Sequence, residues 1–330
     1  MVSVKKPLIT IHHLYKKDNM LENIQEQLKH KNYYNGHLCN NPQPLLDQSE
    51  PQVIFYKKYS DANIDYSIVV PVFNQEKIIE NNILSIINHM EGNFEIIIIL
   101  DGCVDNTESI LLNLFKDINI SNLIKAIIIK QETPVFETTC DNIGFIISSG
   151  KYIIEIQADM NMVEYGFNKN LERGFKKYND IIGISGRCTH FPGGCQGIGK
   201  IGMLIDQPLP PDLDRNLLYM YGTCNRGPLM LDREKLKCMK YLDEQNYFLD
   251  GSDHDLFARS YFLNNWRCGY IPIEFNSPSS HGSTRNNNIR SEILELNKKV
   301  LDLKKQRAVG GFEKTIRDKY SLIPREIRSL

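Results

Sequence analysis

Four apolar runs rich in Ile and Val constrain the fold of this chain more than any other feature. They lie near residues 66–72, 94–100, 124–130 and 151–157. Segments with helical periodicity separate them, near residues 76–90, 106–116 and 138–148. Strands that are buried on both faces have such continuous apolar sequences, and alternating strands and helices build a parallel sheet covered by helices. The sequence therefore predicts an α/β domain with a mostly parallel central sheet.

Polar residues stand where three of these runs end. The first run ends in a turn between Pro71 and Glu76, and the second and fourth runs end at Asp101 and Asp159. Ligands of open α/β sheets bind in the crevice outside the carboxyl ends of the strands. These residues are therefore the first candidates for a binding site.

Four short motifs follow one another in order along the chain. They are Val70-Pro71-Val72-Phe73-Asn74-Gln75-Glu76, then Asp101-Gly102-Cys103-Val104-Asp105-Asn106-Thr107, then Asn142-Ile143-Gly144 leading to Gln157-Ala158-Asp159, and finally Ser252-Asp253-His254-Asp255-Leu256-Phe257-Ala258-Arg259. In order and spacing, from about residue 66 to about residue 275, the chain resembles the family-2 glycosyltransferases, which have a GT-A (Rossmann-like) fold.

The resemblance implies a hexosyltransferase of glycan biosynthesis. Such an enzyme moves a sugar from a nucleotide sugar, with UDP favoured, to the hydroxyl of a glycan or another acceptor, and it inverts the anomeric centre. The residues expected to bind the donor are Pro71, Phe73, Asn74, Glu76, Asp101, Asn142, Gln157, Ala158, Asp159 and, as an added positive charge, Arg226. Local chemistry offers an alternative at two of them, because Asp-Gly sequences favour turns and an acid favours the start of a helix. Asp101 as a turn former and Glu76 as a helix-start charge therefore stay open.

A divalent cation, Mn²⁺ or Mg²⁺, is expected on the donor diphosphate, whose charge grows in the transition state. The resemblance assigns it to Asp159, although Gln157 stands where the family has a first acid. His281 is the candidate second metal ligand, since His can complete a metal site beside a carboxylate; the alternative is an exposed His in a loop of Ser and Gly. Asp212 and Asp214 form another acidic pair, but they lie in a Pro-rich irregular segment and not at a strand end. The alternative for Asp159 is a cap of the turn that follows.

The resemblance assigns Asp253 as the general base that accepts the proton of the acceptor hydroxyl. Asp255 matches a supporting acid, and Arg259 is expected to pair with neighbouring acids. The alternative is that both acids only begin a helix, a position that acids favour.

The bulk composition excludes several other classes. With 330 residues and a net charge of −1, the chain lacks the broad basic surface of a nucleic-acid protein. Its apolar runs are far shorter than the roughly 20 residues of a transmembrane helix, and its first residues lack the apolar core of a signal peptide. We therefore expect a soluble, cytoplasmic protein.

Three further patterns favour coincidence over chemistry. Cys188, His190 and Cys195 match no common zinc spacing. Gly197–Gly202 matches a dinucleotide fingerprint, but it follows Phe-Pro-Gly-Gly and not a strand. Gly194–Lys200 matches a phosphate-binding loop, but Ile201 replaces its metal-binding Ser or Thr.

The sequence predicts three parts. Residues 1–64 form an N-terminal extension with a short edge strand near residues 53–56, and residues 65–275 form the glycosyltransferase domain. Within the domain, residues 187–227 are expected to be an irregular acceptor-side insertion, because they are rich in Gly and Pro. Residues 276–330 form a C-terminal helical tail, through which an oligomer is possible.

Two rival functions remain. One is an inactive module that binds sugar nucleotides, which Gln157 and Ser252 suggest because they replace acids of the family motifs. The other is a nucleotidyltransferase, but the turn after the first strand lacks the Gly-rich basic loop of such enzymes.

Overall fold

The computed structural model describes residues 24, 27, 50–187, 213–244, 247, 251–277 and 322–330. The predictions for His281, for Asp212, and for the segments 188–212 and 278–321 therefore lie outside the described residues.

One ten-stranded sheet organises the described chain. Its strands in spatial order are β1 (Gln52–Lys58), β4 (Leu123–Gln131), β3 (Phe94–Asp101), β2 (Tyr66–Val72), β5 (Tyr152–Glu155), β9 (Leu229–Asp232), β7 (Ile181–Ser185), β10 (Arg267–Tyr270), β8 (Leu217–Tyr221) and β12 (Glu326–Ser329). Seven of these strands run in one direction, and only β1, β9 and β8 run in the other. A separate two-stranded sheet pairs β6 (Asn161–Met162) with β11 (Phe275–Asn276).

Helices cover both faces of the sheet. They are α1 (Ile79–His89), α2 (Thr107–Asp117), α3 (Phe136–Ile147), α4 (Phe167–Lys177), α5 (Arg233–Cys238) and α6 (Ser252–Asn264). Successive side chains of a strand point to opposite faces, so Ile96 and Ile98 of β3 pack in the core that contains residues of α1, α2 and α4. Ile97 and Ile99 pack in the core that contains residues of α3, α5 and α6. The predicted α/β class with a mostly parallel central sheet is thereby confirmed.

A buried ion pair braces the amino ends of the central strands. Glu95 of β3 pairs with Lys125 of β4, and both side chains are almost fully buried. The same carboxylate accepts hydrogen bonds from the hydroxyls of Ser67, at 2.6 Å, and Ser149, at 2.7 Å. These contacts compensate a charge that burial would otherwise make costly. They lie at the amino ends of the strands, so the opposite, carboxyl edge of the sheet is formed by other residues.

Two segments differ from the sequence prediction. Residues 217–221, within the predicted irregular insertion, form β8 inside the sheet. The predicted C-terminal helix is wrong for its last residues, because Glu326–Ser329 form β12 and pair with β8. An open edge strand offers unpaired backbone groups, and Arg328 adds bonds at 2.8 and 2.9 Å to the carboxylate of Asp180. The predicted edge strand near residues 53–56 is confirmed as β1.

Within the described ranges, no helix combines the length and the apolar sequence that crossing a membrane requires.

Candidate active site

Parallel strands bring the predicted motifs to one edge of the sheet. β2, β3 and β5 are adjacent and parallel, so the residues that follow them lie side by side at their carboxyl ends. The turn from Phe73 to Glu76 follows β2, the turn from Gly102 to Asn106 follows β3, and Gln157 to Asp159 follow β5. The structure therefore places three of the four motifs at the edge where ligands of such sheets bind.

The turns after β2 and β3 are joined by reciprocal hydrogen bonds. The backbone N–H of Gln75 donates to Thr107 Oγ1 at 2.8 Å, and that of Glu76 donates to Asp105 Oδ2 at 3.0 Å. In return, Glu76 Oε2 accepts from the backbone and the side-chain amide of Asn106, at 3.1 and 2.9 Å. Glu76 and Asp105 thus fix the two motifs to each other as a single platform.

Asn74 lies at the centre of this platform in a left-handed conformation, with φ of 48°. Its Oδ1 accepts from the backbone N–H of Val104 at 2.9 Å, and its own N–H contacts Cys103 Sγ at 3.4 Å. Its Nδ2 is buried and has no hydrogen-bond partner among the described residues. A buried donor without a partner is costly, and it marks a place where a ligand acceptor would be favourable. Pro71 and Phe73 lie half-buried beside it.

Asp101 holds the start of α3. The backbone N–H groups of Val135 and Phe136 donate to its two carboxylate oxygens at 2.6 and 3.0 Å. Burial raises the pKa of Asp101 to about 6, and these hydrogen bonds oppose the rise. Its contacts favour a structural role that places α3 against β3, so the predicted contact with the nucleobase stays a prediction.

The residues after β5 offer oxygen atoms to the edge. Gln157 Nε2 donates to Glu137 Oε1 on α3. The other side-chain atom, Gln157 Oε1, is buried without a hydrogen-bond partner among the described residues. Asp159 is 7% exposed and Ala158 is 6% exposed. Gln157 Oε1 and the Asp159 carboxylate are both hard oxygen donors, the kind that Mg²⁺ and Mn²⁺ prefer.

Arg226 lies beneath this edge in an acidic cluster that sequence reasoning missed. The cluster consists of Glu137 and Asp141 on α3 and Glu155 at the end of β5. One carboxylate oxygen from each of these three residues lies within 4.8 Å of the other two. Arg226 Nη1 lies 3.2 Å from Asp141 and 3.4 Å from Glu137. Three such carboxylates are a possible metal-binding group, but the guanidinium of Arg226 already lies between two of them.

The charges of this cluster depend on one another. Burial raises the pKa of Asp141 well above its usual range, and Arg226 only partly offsets the rise. Burial disfavours the charge of Arg226, but the carboxylates, Glu137 and Asp141 foremost, outweigh it and raise its pKa. Glu155 also accepts a bond of 2.6 Å from the backbone N–H of Gly227. The cluster is therefore a charge-compensated set of buried contacts that connects α3, β5 and the segment around Arg226.

Arg226 also reaches the start of α6, which carries the fourth motif. Its Nη2 donates to Ser252 Oγ and, at 2.9 Å, to Thr138 Oγ1. Asp253, the next residue, lies half-buried in the first turn of α6. Its charge is among those that raise the pKa of Arg226. The structure thus brings Asp253 towards the donor-side motifs. The contacts of Arg226 indicate that this residue positions α6, and they favour that role over the predicted direct contact with the donor.

Asp255 makes its main contact within α6. Its Oδ2 accepts from Arg259 Nε at 2.6 Å, and Arg259 also donates to the carbonyls of Met239 and Tyr241 at 2.8 and 2.9 Å. The expected pairing of Arg259 with a neighbouring acid is confirmed. Since Asp255 is committed to this pair, only Asp253 of the two acids remains half-exposed.

Asn142 is fully buried, with 0% exposure. Its Nδ2 donates to the Leu242 carbonyl at 2.9 Å and to Glu244 at 3.0 Å, and its Oδ1 accepts from the Leu242 N–H at 3.0 Å. These contacts favour a structural role over the predicted contact with the donor.

Arg187 is a second residue that sequence reasoning missed. It follows β7 directly, at the same carboxyl edge, and its Nε is buried without a hydrogen-bond partner among the described residues. The signal in the sequence was weak, because Arg187 belongs to no motif and begins the Gly- and Pro-rich segment.

Comparison with known proteins agrees with the motifs. Residues 67–182 match the family model described as Glycosyl transferase family 2, which confirms the resemblance to that family. A curated relative is an uncharacterized glycosyltransferase of Rickettsia bellii (strain RML369-C), 32% identical over 99 residues. The match covers 30% of this chain and 13% of the relative, so the chain spans only a small part of that protein.

Three solved structures are similar to this chain. S. aureus TarS 1-349 in complex with UDP has a TM-score of 0.47 and 15% identity, over 64% of this chain and 59% of that chain. The mannosyltransferase PcManGT of Pyrobaculum calidifontis, with GDP-Man and Mn²⁺, has a TM-score of 0.46 and 13% identity, over 65% and 56%. GalNAc-T7 with UDP, GalNAc and Mn²⁺ has a TM-score of 0.48 and 14% identity, over 65% and 43%.

Proposed function

We propose that this chain transfers a sugar from a nucleotide sugar, with UDP favoured, to an acceptor hydroxyl, with inversion of the anomeric centre. One observation carries the proposal: the structure brings the ends of β2, β3 and β5 and the start of α6 together around one edge of the sheet. These are the four motifs on which the family resemblance depends, and residues 67–182 match the family.

The nucleotide would lie on the platform formed by the turns after β2 and β3. Asn74 Nδ2 is buried without a partner among the described residues, so it can donate to an acceptor atom of the nucleobase or ribose. Glu76 and Asp105 hold the platform rigid, which lowers the ordering cost of binding. Phe73 offers an apolar surface beside it.

The diphosphate would lie at the end of β5. Asp159 and the unpartnered Gln157 Oε1 are suited to hold Mn²⁺ or Mg²⁺ there. Bound there, such an ion supplies positive charge that stabilises the leaving diphosphate. Gln157 contributes an oxygen atom without a charge, so Asp159 carries the acidic part of the site. Glu137 orients Gln157 by accepting from its Nε2.

Asp253 would accept the proton of the acceptor hydroxyl as the new glycosidic bond forms and the bond to the diphosphate breaks. Its half-exposed position in the first turn of α6 leaves it open to an acceptor. Ser252, its neighbour, is fixed by Arg226 and Thr138, so the start of the helix is held against α3. Asp255 supports α6 through its pair with Arg259.

A nucleotide-release assay tests this assignment. The chain is incubated with UDP-, GDP- and dTDP-sugars, a panel of hydroxyl-bearing glycan acceptors and Mn²⁺, and nucleoside diphosphate and glycosidic product are measured. We expect one nucleotide class to be used, and Asp253→Asn to lower its turnover by about 10²–10⁴-fold with donor affinity unchanged. Asp117→Asn, at the exposed far end of α2, is the matched control.

The outcomes separate the rival functions. Near-parental turnover in Asp253→Asn would remove Asp253 from the role of base. Nucleotide binding without release or product from any donor would favour the inactive binding module. Formation of nucleoside triphosphate and sugar 1-phosphate from the nucleotide sugar when pyrophosphate is added, with no glycosidic product, would favour a nucleotidyltransferase.

A further inference from the structure

Arg187 lies at the carboxyl edge, next to the segment that carries Arg226. β7 ends at Ser185 and runs parallel to the central strands, so Arg187 emerges on the same side as Gln157 and Asp159. The backbone N–H of Gly186 donates to the Pro228 carbonyl at 2.9 Å, which ties this position to the segment that follows Arg226.

The guanidinium of Arg187 is within electrostatic range of several acids but is bound to none of the described ones. Burial lowers the pKa of Arg187, and the charges of Glu137, Asp159 and Asp253 partly offset that change. Among the described residues, no ion pair or side-chain hydrogen bond holds it, and its Nε is buried without a partner. The Arg187 side chain as a whole is half-buried, and partial loss of hydration without a compensating partner is unfavourable for a cation.

Arg226 shows what a structural arginine looks like in this protein. Its guanidinium contacts two carboxylates and two hydroxyls and joins α3 to α6. Arg187 has the same charge and faces some of the same acids, but it has none of these contacts within the described chain. This difference indicates that Arg187 binds a ligand and does not hold two elements of the fold together.

We propose that Arg187 binds the diphosphate of the nucleotide-sugar donor. The planar guanidinium presents five N–H donors in a fork that matches phosphate oxygens. A phosphate between Arg187 and the residues after β5 would supply the acceptor that Nε lacks. Because Gln157 removes one acid from the metal-binding motif, a protein cation at this place shares the neutralisation of the leaving group with the metal. This inference rests on the proposed function and adds a residue to its donor site.

Calorimetry on the full chain tests the proposal. The probes are UDP and GDP, each with Mn²⁺, and uridine and guanosine as the matching nucleosides. A hydrogen bond to a charged group corresponds to about a 10- to 100-fold change in affinity. We therefore expect Arg187→Gln to weaken binding of the preferred nucleoside diphosphate by about that factor and to leave the nucleoside affinity unchanged. Arg187→Lys retains the charge but not the fork, so its loss is expected to be smaller.

Arg233→Gln is the matched control, because Arg233 begins α5 at the opposite edge and pairs with the exposed Glu234. It removes the same charge and is expected to bind both probes as the parent does. Arg187→Gln is expected to retain the thermal midpoint of the parent within a few degrees, since no described contact is lost. If Arg187→Gln does not fold, the loss in Arg187→Lys relative to the control decides the question.

Three results would overturn the inference. Parental diphosphate affinity in Arg187→Gln would show that Arg187 does not contact the phosphates, and it would leave the proposed function standing. An equal loss of diphosphate and nucleoside affinity would show a general disturbance of the site instead of a phosphate contact. Absence of binding of either nucleoside diphosphate to the parent would refute the proposed function, and the inference with it.

Discussion

Replacement of Arg226 by glutamine is the most informative test of the buried acidic cluster. The guanidinium is 7% exposed and lies 3.2 Å from Asp141 and 3.4 Å from Glu137. It also donates to the hydroxyls of Thr138 and Ser252. Glutamine keeps one donor group but removes the charge, so the three carboxylates of the cluster lose their cation.

The expected cost follows from that burial. Removal of one partner of a buried ion pair typically costs about 3–5 kcal/mol, since it leaves an uncompensated charge. Asp141 relieves part of this cost by binding a proton, because burial already raises its pKa well above the usual range. We therefore expect the free energy of unfolding to fall by about 3 kcal/mol near neutral pH.

The pH dependence gives the prediction its sign. Burial already raises the pKa of Asp141 above its value in the unfolded chain, and without Arg226 it rises further. Stability from such groups is present below their unfolded pKa and is lost as the pH rises through the folded pKa. The cost of Arg226→Gln should therefore be larger at pH 8 than at pH 5.

Urea denaturation of the parent and the variant at both pH values measures this difference. Arg233→Gln is again the control, since it removes an arginine from the surface. A cost below about 1 kcal/mol at pH 8, the scale of an exposed ion pair, would contradict the assignment of Arg226 as the cation of the cluster. A cost that is the same at both pH values would contradict the role of the acids.

Three further predictions concern other parts of the account. EDTA should abolish transfer, with Mn²⁺ or Mg²⁺ restoring it, and Asp159→Ala should weaken binding of a nucleoside diphosphate far more than binding of a nucleoside; full activity in EDTA would mean that protein cations alone neutralise the leaving group. Burial raises the pKa of Asp101 from 3.8 to about 6, so the contribution of this group to stability is lost as the pH rises through that value. In urea titrations between about pH 4 and pH 7, the free energy of unfolding should therefore fall less for Asp101→Asn than for the parent. Equal dependence of that free energy on pH in the two proteins would contradict the shift. A Cβ at Gly144 would overlap Val69 Cγ1, so Gly144→Ala should cost about 1–3 kcal/mol; addition of Val69→Ala should recover part of that loss, and a double variant whose costs simply add would refute the clash.

The elements of the sheet were predictable because their signal is local. The runs at residues 66–72 and 94–100 coincide with β2 and β3 within one residue at each end. Both consist of apolar residues that are buried on two faces, so each residue contributes to the same signal. β12 gave no such signal, because three of its four residues are exposed and its position depends on the open edge of β8.

The motif residues were predictable as a set, but their contacts were not. Glu76 was expected either to bind the donor or to begin a helix, and Asp105 was noted as part of a motif, whereas the structure joins them across 29 positions of the chain. Asn142 was taken for a donor-binding residue because it lies in a motif, but its amide is satisfied by a loop 100 positions away. Such pairings depend on tertiary proximity, which one sequence does not encode in its local pattern.

The acidic cluster and Arg187 were missed for a related reason. Glu137 and Asp141 have the spacing of ordinary residues on one face of a helix, and Glu155 looks like a polar interruption of a strand. Only the packing of α3 on β5 brings them around Arg226. Arg187 became distinctive only through its burial and its lack of a described partner.

Hydrogen–deuterium exchange tests the central claim most directly, namely that the carboxyl edge of the sheet is the nucleotide site. The full chain is measured alone and with UDP or GDP, each with Mn²⁺. We predict slower exchange in the turns at residues 73–76 and 102–107 with the preferred nucleotide, and unchanged exchange at residues 149–151 at the opposite edge. Protection at residues 149–151, or bound nucleotide without protection of either turn, would contradict the account.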